Sequence, residues 1–157
     1  KADVLNYIPN QKASQLAFDS GLVADGKDWC DIHPKTFESK LVKNVHVIGD
    51  ASNAAPMPKS AFSASTQGKV VALQIARMLK QQEPLNPPKL ANTCYSLLSP
   101  NYGISIAAVY NALDDKIQNV DGAGGVSPET DPDGHIRILE AKYAYAWYES
   151  QTADIFK

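Results

Sequence analysis

The sequence lacks the features that mark disulfide-rich, membrane-spanning or nucleic-acid-binding proteins. Its 157 residues include only two cysteines, so a disulfide framework is not indicated. No apolar run approaches the roughly 18 residues that a membrane-spanning helix needs. The formal net charge of −2 gives no electrostatic argument for a nucleic-acid partner or a membrane surface. Internal repeats and low-complexity segments are also missing, and we therefore expect a globular chain with no membrane span.

Metal ligands are equally scarce. Cys30 and His33 lie three residues apart, but no second pair of cysteine or histidine residues is close in sequence. A structural zinc site takes four such ligands. The sequence therefore predicts no metal site, and residues 26–39 are better explained as a turn-rich β-ribbon that packs Trp29 and Phe37.

A short apolar run at residues 45–48, followed by Gly49 and Asp50, organises the first half of the chain. Such a run, rich in β-branched residues, predicts a buried strand of a parallel sheet. Gly49 allows close approach of a ligand, and the Asp50 carboxylate at the end of the strand is able to accept hydrogen bonds from sugar hydroxyls. The alternative is a strand that ends in a simple turn, with Asp50 as a helix cap.

A helix is predicted for residues 61–80, after a proline-bearing loop, with Ser60 as its N-cap. Its N-terminus, where the side chain of Ala61 is small, offers free N–H groups and a partial positive charge to an electron-rich ligand. Lys59 adds a full positive charge beside it. The predicted apolar face consists of Val71, Ile75, Met78 and Leu79.

The proline-rich segment 83–88 cannot continue a helix and is predicted to separate two parts of the chain. Before it, a strand is predicted at residues 1–9 and a short helix at 11–20, with Gly21 as its C-cap. After it, the pattern predicts a three-strand meander at 93–99, 104–110 and 116–120, a flexible Gly-rich turn at 121–125, and an aromatic helix at 138–155.

Three motifs resemble one family. Residues 45–50 are similar to the second flavin-binding motif of glutathione-reductase-like flavoproteins. Val-Ile-Gly-Asp-Ala at 47–51 with Pro-Met-Pro-Lys-Ser at 56–60 is most similar to the flavoprotein subunit of flavocytochrome c sulfide dehydrogenase. Asn-Thr-Cys-Tyr at 92–95 resembles the C-terminal member of that family's redox-active disulfide. The resemblance implies an FAD cofactor, a catalytic Cys94, and cofactor-binding roles for Gly49, Asp50, Lys59, Ser60, Ala61 and Trp147.

The resemblance also implies a domain organisation. The expected fold class is α/β plus α+β, the C-terminal part of an FAD-binding Rossmann-like domain followed by a small β-meander and helix interface domain. The predicted parts are a residual edge of an NAD(P)-like domain at 1–12, the FAD-binding part at 13–83, and the interface domain at 84–157.

The family's first FAD fingerprint and the partner cysteine of its disulfide are not found in this sequence, and Cys30 does not match that partner by position. We therefore expect a C-terminal fragment of the subunit, inactive alone and at most weakly FAD-binding. Stoichiometric flavin absorbance in the purified chain would contradict this expectation.

The function implied by the resemblance is oxidation of sulfide, with electrons passing through FAD to the haem of a cytochrome c partner subunit in the periplasm. One alternative is a sulfide:quinone oxidoreductase, which needs an amphipathic membrane-binding segment, whereas residues 148–156 are polar and acidic. Another is a non-enzymatic binding or assembly module. Composition alone favours a buried inert thiol for Cys94. A surface lysine for Lys59 and interface packing for Trp147 are the alternatives to their cofactor-binding roles.

Overall fold

The computed structural model describes residues 2–156 as a mixed α/β structure in which helices flank one antiparallel sheet. This mixture of helices and strands agrees with the expected α/β and α+β character. The sheet formed within residues 2–156 is a three-strand meander and has no Rossmann-like parallel order. The elements are the helices α1 (Gln15–Asp19), α2 (Ala61–Leu79) and α3 (His135–Phe156), a 3₁₀ turn at Gly49–Ala51, and the strands β1 (Lys89–Ser99), β2 (Tyr102–Ala112) and β3 (Ile117–Val126).

The predicted meander and terminal helix are confirmed, with longer elements than predicted. The strand order is β1-β2-β3, and both neighbouring pairs are antiparallel. The β1–β2 pairing runs from Lys89 opposite Asn111 to Ser99 opposite Tyr102. Short connections join β1 to β2 and β2 to β3, so the three strands are close together in sequence. This is why alternating strand and turn signals were able to predict the meander.

The flexible turn predicted for residues 121–125 is wrong, because this Gly-rich segment is part of β3. Gly124 lies opposite Ala108 of β2. A Cβ atom at Gly124 would lie 2.5 Å from the carbonyl oxygen of Ala107 and 2.9 Å from the Cα of Ala108. The glycine here permits close approach of two strands and does not provide flexibility.

Two predicted strands are not formed. Residues 2–9 are exposed and have no regular secondary structure, and Lys1 of that prediction lies outside the described residues. In the segment 45–48, His46 makes one isolated bridge to Glu38, and Ile48 is 39% exposed. A buried parallel strand needs neighbouring strands on both sides, and within residues 2–156 this segment has only that bridge.

The short elements before α2 agree in part with the predictions. Helix α1 is shorter than predicted, and Gly21 follows it with φ of +67°, as expected of a C-cap glycine. The ribbon at residues 26–39 consists of isolated bridges, in which Phe37 is fully buried and Trp29 half-buried.

Helix α2 begins at Ala61 as predicted, and Ser60 is its N-cap, since its Oγ accepts a hydrogen bond from the Ser63 N–H at 3.1 Å. The predicted apolar face is only partly right. Met78 is 47% exposed and Leu79 81% exposed. The buried residues of α2 are Ser63, Gln67, Val71 and Gln74, which lie at i, i+4, i+8 and i+11 and form a largely polar stripe.

One hydrophobic core crosses the proline-rich segment 83–88. Phe37 and Val71 before the segment belong to the same cluster as Leu90 and Tyr110 after it. The segment itself is fastened by Gln74, whose Oε1 accepts from the N–H of Leu85 at 2.9 Å. The predicted boundaries at residues 12 and 83 stay predictions.

Helix α3 packs on β1 and β2 through a close contact and a buried polar cluster. A Cβ at Gly103 would lie 2.6 Å from the backbone nitrogen of Ala141, so glycine lets the helix approach β2. The Glu140 carboxylate accepts hydrogen bonds from Ser105 Oγ at 2.8 Å and Ser127 Oγ at 2.7 Å. These bonds fix the rotation of α3 about its own axis, because they reach one buried position of the helix.

We expect Gly124→Ala to lower the free energy of unfolding by about 1–3 kcal/mol, because the new methyl group would overlap the backbone of β2. Gly125→Ala is the matched control, since a Cβ there meets nothing within 4 Å. Urea unfolding of the two variants measures the difference. Equal stability of both variants would show that the close approach of β3 to β2 is not as described.

Candidate functional site

Four of the predicted site residues lie in one groove. The N-terminus of α2, strand β1 and helix α3 enclose a space of about 340 Å³, here termed the α2–α3 groove. The structure thus brings together residues that are far apart in sequence. The lining residues used below are Ser60, Ala61, Phe62, Cys94, Trp147 and Tyr148.

An aromatic pair forms one wall of this groove. The rings of Phe62 and Trp147 are stacked, with centroids 5.4 Å apart and planes inclined by 16°. Phe62 was not among the predicted site residues, and no local sequence signal connects it to Trp147. A flat aromatic wall beside the N-terminus of α2 suits a planar ring ligand that carries electron-rich groups.

A buried asparagine connects the helix cap to the cysteine. Asn92 is 4% exposed, and its Oδ1 accepts hydrogen bonds from Ser60 Oγ at 2.6 Å and Ser63 Oγ at 3.1 Å. Its Nδ2 lies 3.3 Å from Cys94 Sγ and donates to it. Asn92 was missed as a site residue, although its position two residues before Cys94 places both side chains on the same face of β1.

Cys94 borders a second cavity as well as the groove. This cavity measures about 300 Å³, and its lining includes the apolar side chains of Ile104, Ile106 and Val126, together with Arg137. The Cys94 thiol is free and half-buried. The Cys94 residue is therefore shared by the linings of two cavities.

Gly49 and Asp50 lie in a neighbouring cavity of about 180 Å³, here termed the Gly49 cavity. Gly49 has φ of +66°, and its N–H donates to Oε1 of the buried Gln67 at 2.7 Å. Ser52 Oγ donates to the Gly49 carbonyl at 2.8 Å. Gly49 and Asp50 are therefore held in a 3₁₀ turn and do not end a strand. Asp50 is exposed.

Lys59 lines the Gly49 cavity, and its ammonium group is held by backbone carbonyls. Its Nζ donates to the backbone carbonyls of Asp50 at 2.6 Å and Ser52 at 3.0 Å, and it lies 3.6 Å from the ring centroid of Trp29. The pKa of Lys59 is lowered, chiefly because burial removes water from the ammonium group, while Asp50 and Cys30 oppose that shift. The ammonium group thus holds the loop after the 3₁₀ turn.

The predicted site residues therefore fall into two adjacent groups. Ser60, Ala61, Cys94 and Trp147 line the α2–α3 groove, whereas Gly49, Asp50 and Lys59 line the Gly49 cavity. The two groups meet at the first turn of α2, where Ser63 lines the Gly49 cavity and bonds Asn92.

Residues 2–156 bring no three histidine, cysteine, aspartate or glutamate side chains together as metal ligands. No helix within that range is both long and apolar enough to cross a bilayer.

Residues 86–156 match the family model described as flavocytochrome c sulphide dehydrogenase, flavin-binding. The matched segment contains all three strands, α3, Cys94 and Trp147. The resemblance predicted from the sequence is thereby confirmed for the C-terminal part of the chain. The predicted FAD cofactor is confirmed too, because the matched domain is a flavin-binding one. The individual roles of the site residues stay predictions.

We expect iodoacetamide to alkylate Cys94 and to spare Cys30 in the folded chain. Cys94 borders two cavities, whereas Cys30 is 0% exposed. In urea both thiols should react, which controls for intrinsic reactivity. Mass spectrometry of the two cysteine-containing peptides measures the difference, and comparable labelling of both in the folded chain would contradict their placement.

The stability of the chain should fall at alkaline pH because of Cys30. Burial raises the pKa of its thiol, Asp31 adds to the shift and Lys59 opposes it. Above pH 9.0, the ordinary thiol value, the unfolded chain has lost a proton that the folded chain still holds. The free energy of unfolding should therefore decrease with pH, by at most about 1.4 kcal/mol per pH unit from this group.

Urea unfolding at a series of alkaline pH values measures that slope. Cys30→Ala is the control, because it removes the thiol and leaves the other titrating groups in place. An identical pH slope in the two proteins would mean that Cys30 is not the origin.

Proposed function

We propose that this chain, whose residues 86–156 match a flavin-binding domain, is the C-terminal part of a flavoprotein subunit that oxidises sulfide and passes the electrons to a cytochrome c haem. The observation that carries the proposal is the α2–α3 groove. It places a cysteine thiol, an aromatic wall and a helix N-terminus around one cavity. A flavin that exchanges electrons with a cysteine sulfur needs these three features close together.

The residues present fit a flavin. The stacked Trp147 and Phe62 offer a flat apolar wall. The N–H groups in the first turn of α2 have no helical carbonyl to which they can donate a hydrogen bond. At Gly49 a Cβ would lie 3.3 Å from the Cβ of Ala64, so glycine leaves room beside the helix. The exposed Asp50 is able to accept hydrogen bonds from the hydroxyl groups of a sugar-alcohol chain.

When bound, FAD would supply the two-electron chemistry, taking up the electron pair from sulfur and releasing electrons singly to a haem. The part of the protein is electrostatic and steric. The N-terminus of α2 would stabilise negative charge on the bound group, and the Lys59 ammonium would add to that potential from the Gly49 cavity. Trp147 and Phe62 would hold the group and shield it from water.

The sulfur chemistry proposed for Cys94 is thiol–disulfide exchange. Hydrosulfide attacks a disulfide between Cys94 and a cysteine of the subunit's N-terminal half. The S–S bond breaks, a new S–S bond forms in a persulfide, and the other sulfur leaves as a thiolate with the electron pair. The second cavity at Cys94, lined by Ile104, Ile106 and Val126, would give a small sulfur nucleophile access to this disulfide.

The proposed partner is a cytochrome c subunit, and the proposed location is the periplasm, both carried over from the family resemblance. Helix α3 presents three exposed aromatic side chains, Tyr143, Tyr145 and Tyr148, which suit a protein interface. A sulfide:quinone oxidoreductase is the second enzymatic candidate, and an assembly module without redox activity is the third.

The test is an anaerobic titration of the full flavoprotein subunit with sulfide, followed by flavin absorbance. Wild-type flavin should bleach, and Cys94→Ser should bleach at least about a hundredfold more slowly, because the sulfur relay is removed. Cys30→Ala is the matched control and should behave like wild type, since Cys30 is buried away from both cavities.

Equal bleaching of wild type and Cys94→Ser would make Cys94 a structural residue and refute the sulfur relay. Bleaching that needs a quinone, with no reduction of cytochrome c, would favour the quinone oxidoreductase. A subunit that binds a protein partner but never retains flavin would leave only the assembly module.

A further inference from the structure

Cys94 is held by a chain of hydrogen bonds that begins at the cap of α2. The Ser63 backbone N–H donates to Ser60 Oγ at 3.1 Å, so the Ser60 hydroxyl proton is free to point at Asn92 Oδ1, 2.6 Å away. The Ser63 hydroxyl donates to the same oxygen at 3.1 Å. With both serines acting as donors, the oxygen of the amide must face the helix, and its nitrogen must face Cys94 Sγ.

The orientation of this amide has a chemical consequence. An amide N–H is a donor, and a thiolate accepts a hydrogen bond more strongly than a neutral thiol does. Asn92 is 4% exposed, so water does not compete for the bond. The Asn92 amide therefore donates to Cys94 Sγ and keeps it directed between its two cavities.

We propose that Asn92 is the positioning residue for Cys94, and that its amide, anchored by Ser60 and Ser63, holds Sγ between its two cavities and donates a hydrogen bond to it when the sulfur is a thiolate. This inference rests on the proposed function only in taking Cys94 as the reactive sulfur. In that function the thiolate released when the disulfide opens would receive the Asn92 hydrogen bond at the moment its charge appears. The anchor also couples the sulfur to the same helix terminus that borders the proposed flavin site.

Several other titratable groups face Cys94 and would influence its pH profile. Tyr95 and Tyr148 line the α2–α3 groove with Cys94, and Glu129 and Arg137 line the second cavity with it. The fifth group is the buried Tyr110. Its pKa is raised mainly by burial and to a smaller extent by the charge of Cys94. A substitution at Asn92 leaves all five in place, so a difference from wild type comes from the replaced side chain itself.

The test is the alkylation rate of Cys94 by iodoacetamide as a function of pH, measured on its peptide by mass spectrometry. In Asn92→Asp one carboxylate oxygen still accepts from the serines, but the other faces the sulfur with a negative charge and without a proton to donate. We expect the midpoint of the Cys94 alkylation profile to rise by one pH unit or more, so that alkylation near neutral pH slows about tenfold.

Asn111→Asp is the matched control. It makes the same change on the neighbouring strand, where the amide oxygen accepts from Lys89 Nζ at 3.1 Å and no thiol is involved. Its alkylation profile should match wild type. An Asn92→Asp protein that folds, as judged by circular dichroism, and alkylates like wild type would overturn the proposal.

Ser63→Ala provides a second route if Asn92→Asp does not fold. Loss of the Ser63 hydroxyl loosens the anchor of the amide, and Cys94 alkylation should slow about threefold, within the range expected for one weakened hydrogen bond. Ser65→Ala makes the same deletion on the opposite side of α2 and should have no effect. Equal rates in the two variants would also overturn the proposal.

The result can be separated from that of the sulfide titration, because alkylation needs neither flavin nor sulfide. An altered alkylation profile in Asn92→Asp with no sulfide-dependent bleaching would support the positioning role and refute the proposed function. Unaltered alkylation with Cys94-dependent bleaching would do the reverse.

Discussion

The buried polar stripe of α2 is the constraint on which the rest of the structure depends. A buried amide or hydroxyl without a partner costs about 1–3 kcal/mol, so each polar residue of the stripe must find a hydrogen bond. Ser63 finds Asn92 on β1, Gln67 finds the N–H of Gly49, and Gln74 finds Leu85. One helix thereby fixes the positions of a strand, a turn and a proline-rich connection.

This arrangement explains how the Gly49 cavity and the α2–α3 groove are held in fixed positions relative to each other. The Gly49 turn is hydrogen-bonded to Gln67 in the second turn of α2, and Asn92 is hydrogen-bonded to Ser63 in its first turn. Cys94 lies two residues beyond Asn92 on the same strand. Because α2 is a rigid helix, the distance between the Gly49 cavity and the cysteine is set by the helical rise between Ser63 and Gln67.

Helix α3 completes the site from the other side of the groove. Gly103 lets it approach β2, and Glu140 fixes its rotation through two serine hydroxyls. That rotation brings Trp147 onto Phe62, at the start of α2. The aromatic wall therefore depends on contacts that lie about two turns away along α3.

The sequence by itself determined the elements that depend on local signals. The cap at Ser60, the extent of α2, the meander and the aromatic helix follow from capping, turn and periodicity rules, which act over a few residues. The family motifs also predicted the flavin cofactor and the family match of residues 86–156.

Only the tertiary structure decided the features that depend on distant partners. The strand at residues 45–48 was mispredicted because strand formation requires neighbouring strands. The buried face of α2 was mispredicted in part because glutamine is expected at the surface unless its hydrogen-bond partners are known. The Phe62–Trp147 stack and the Asn92 bonds to Ser60 and Ser63 join residues with no shared local pattern. Packing against particular side chains, and not the propensity of either segment, brings them together.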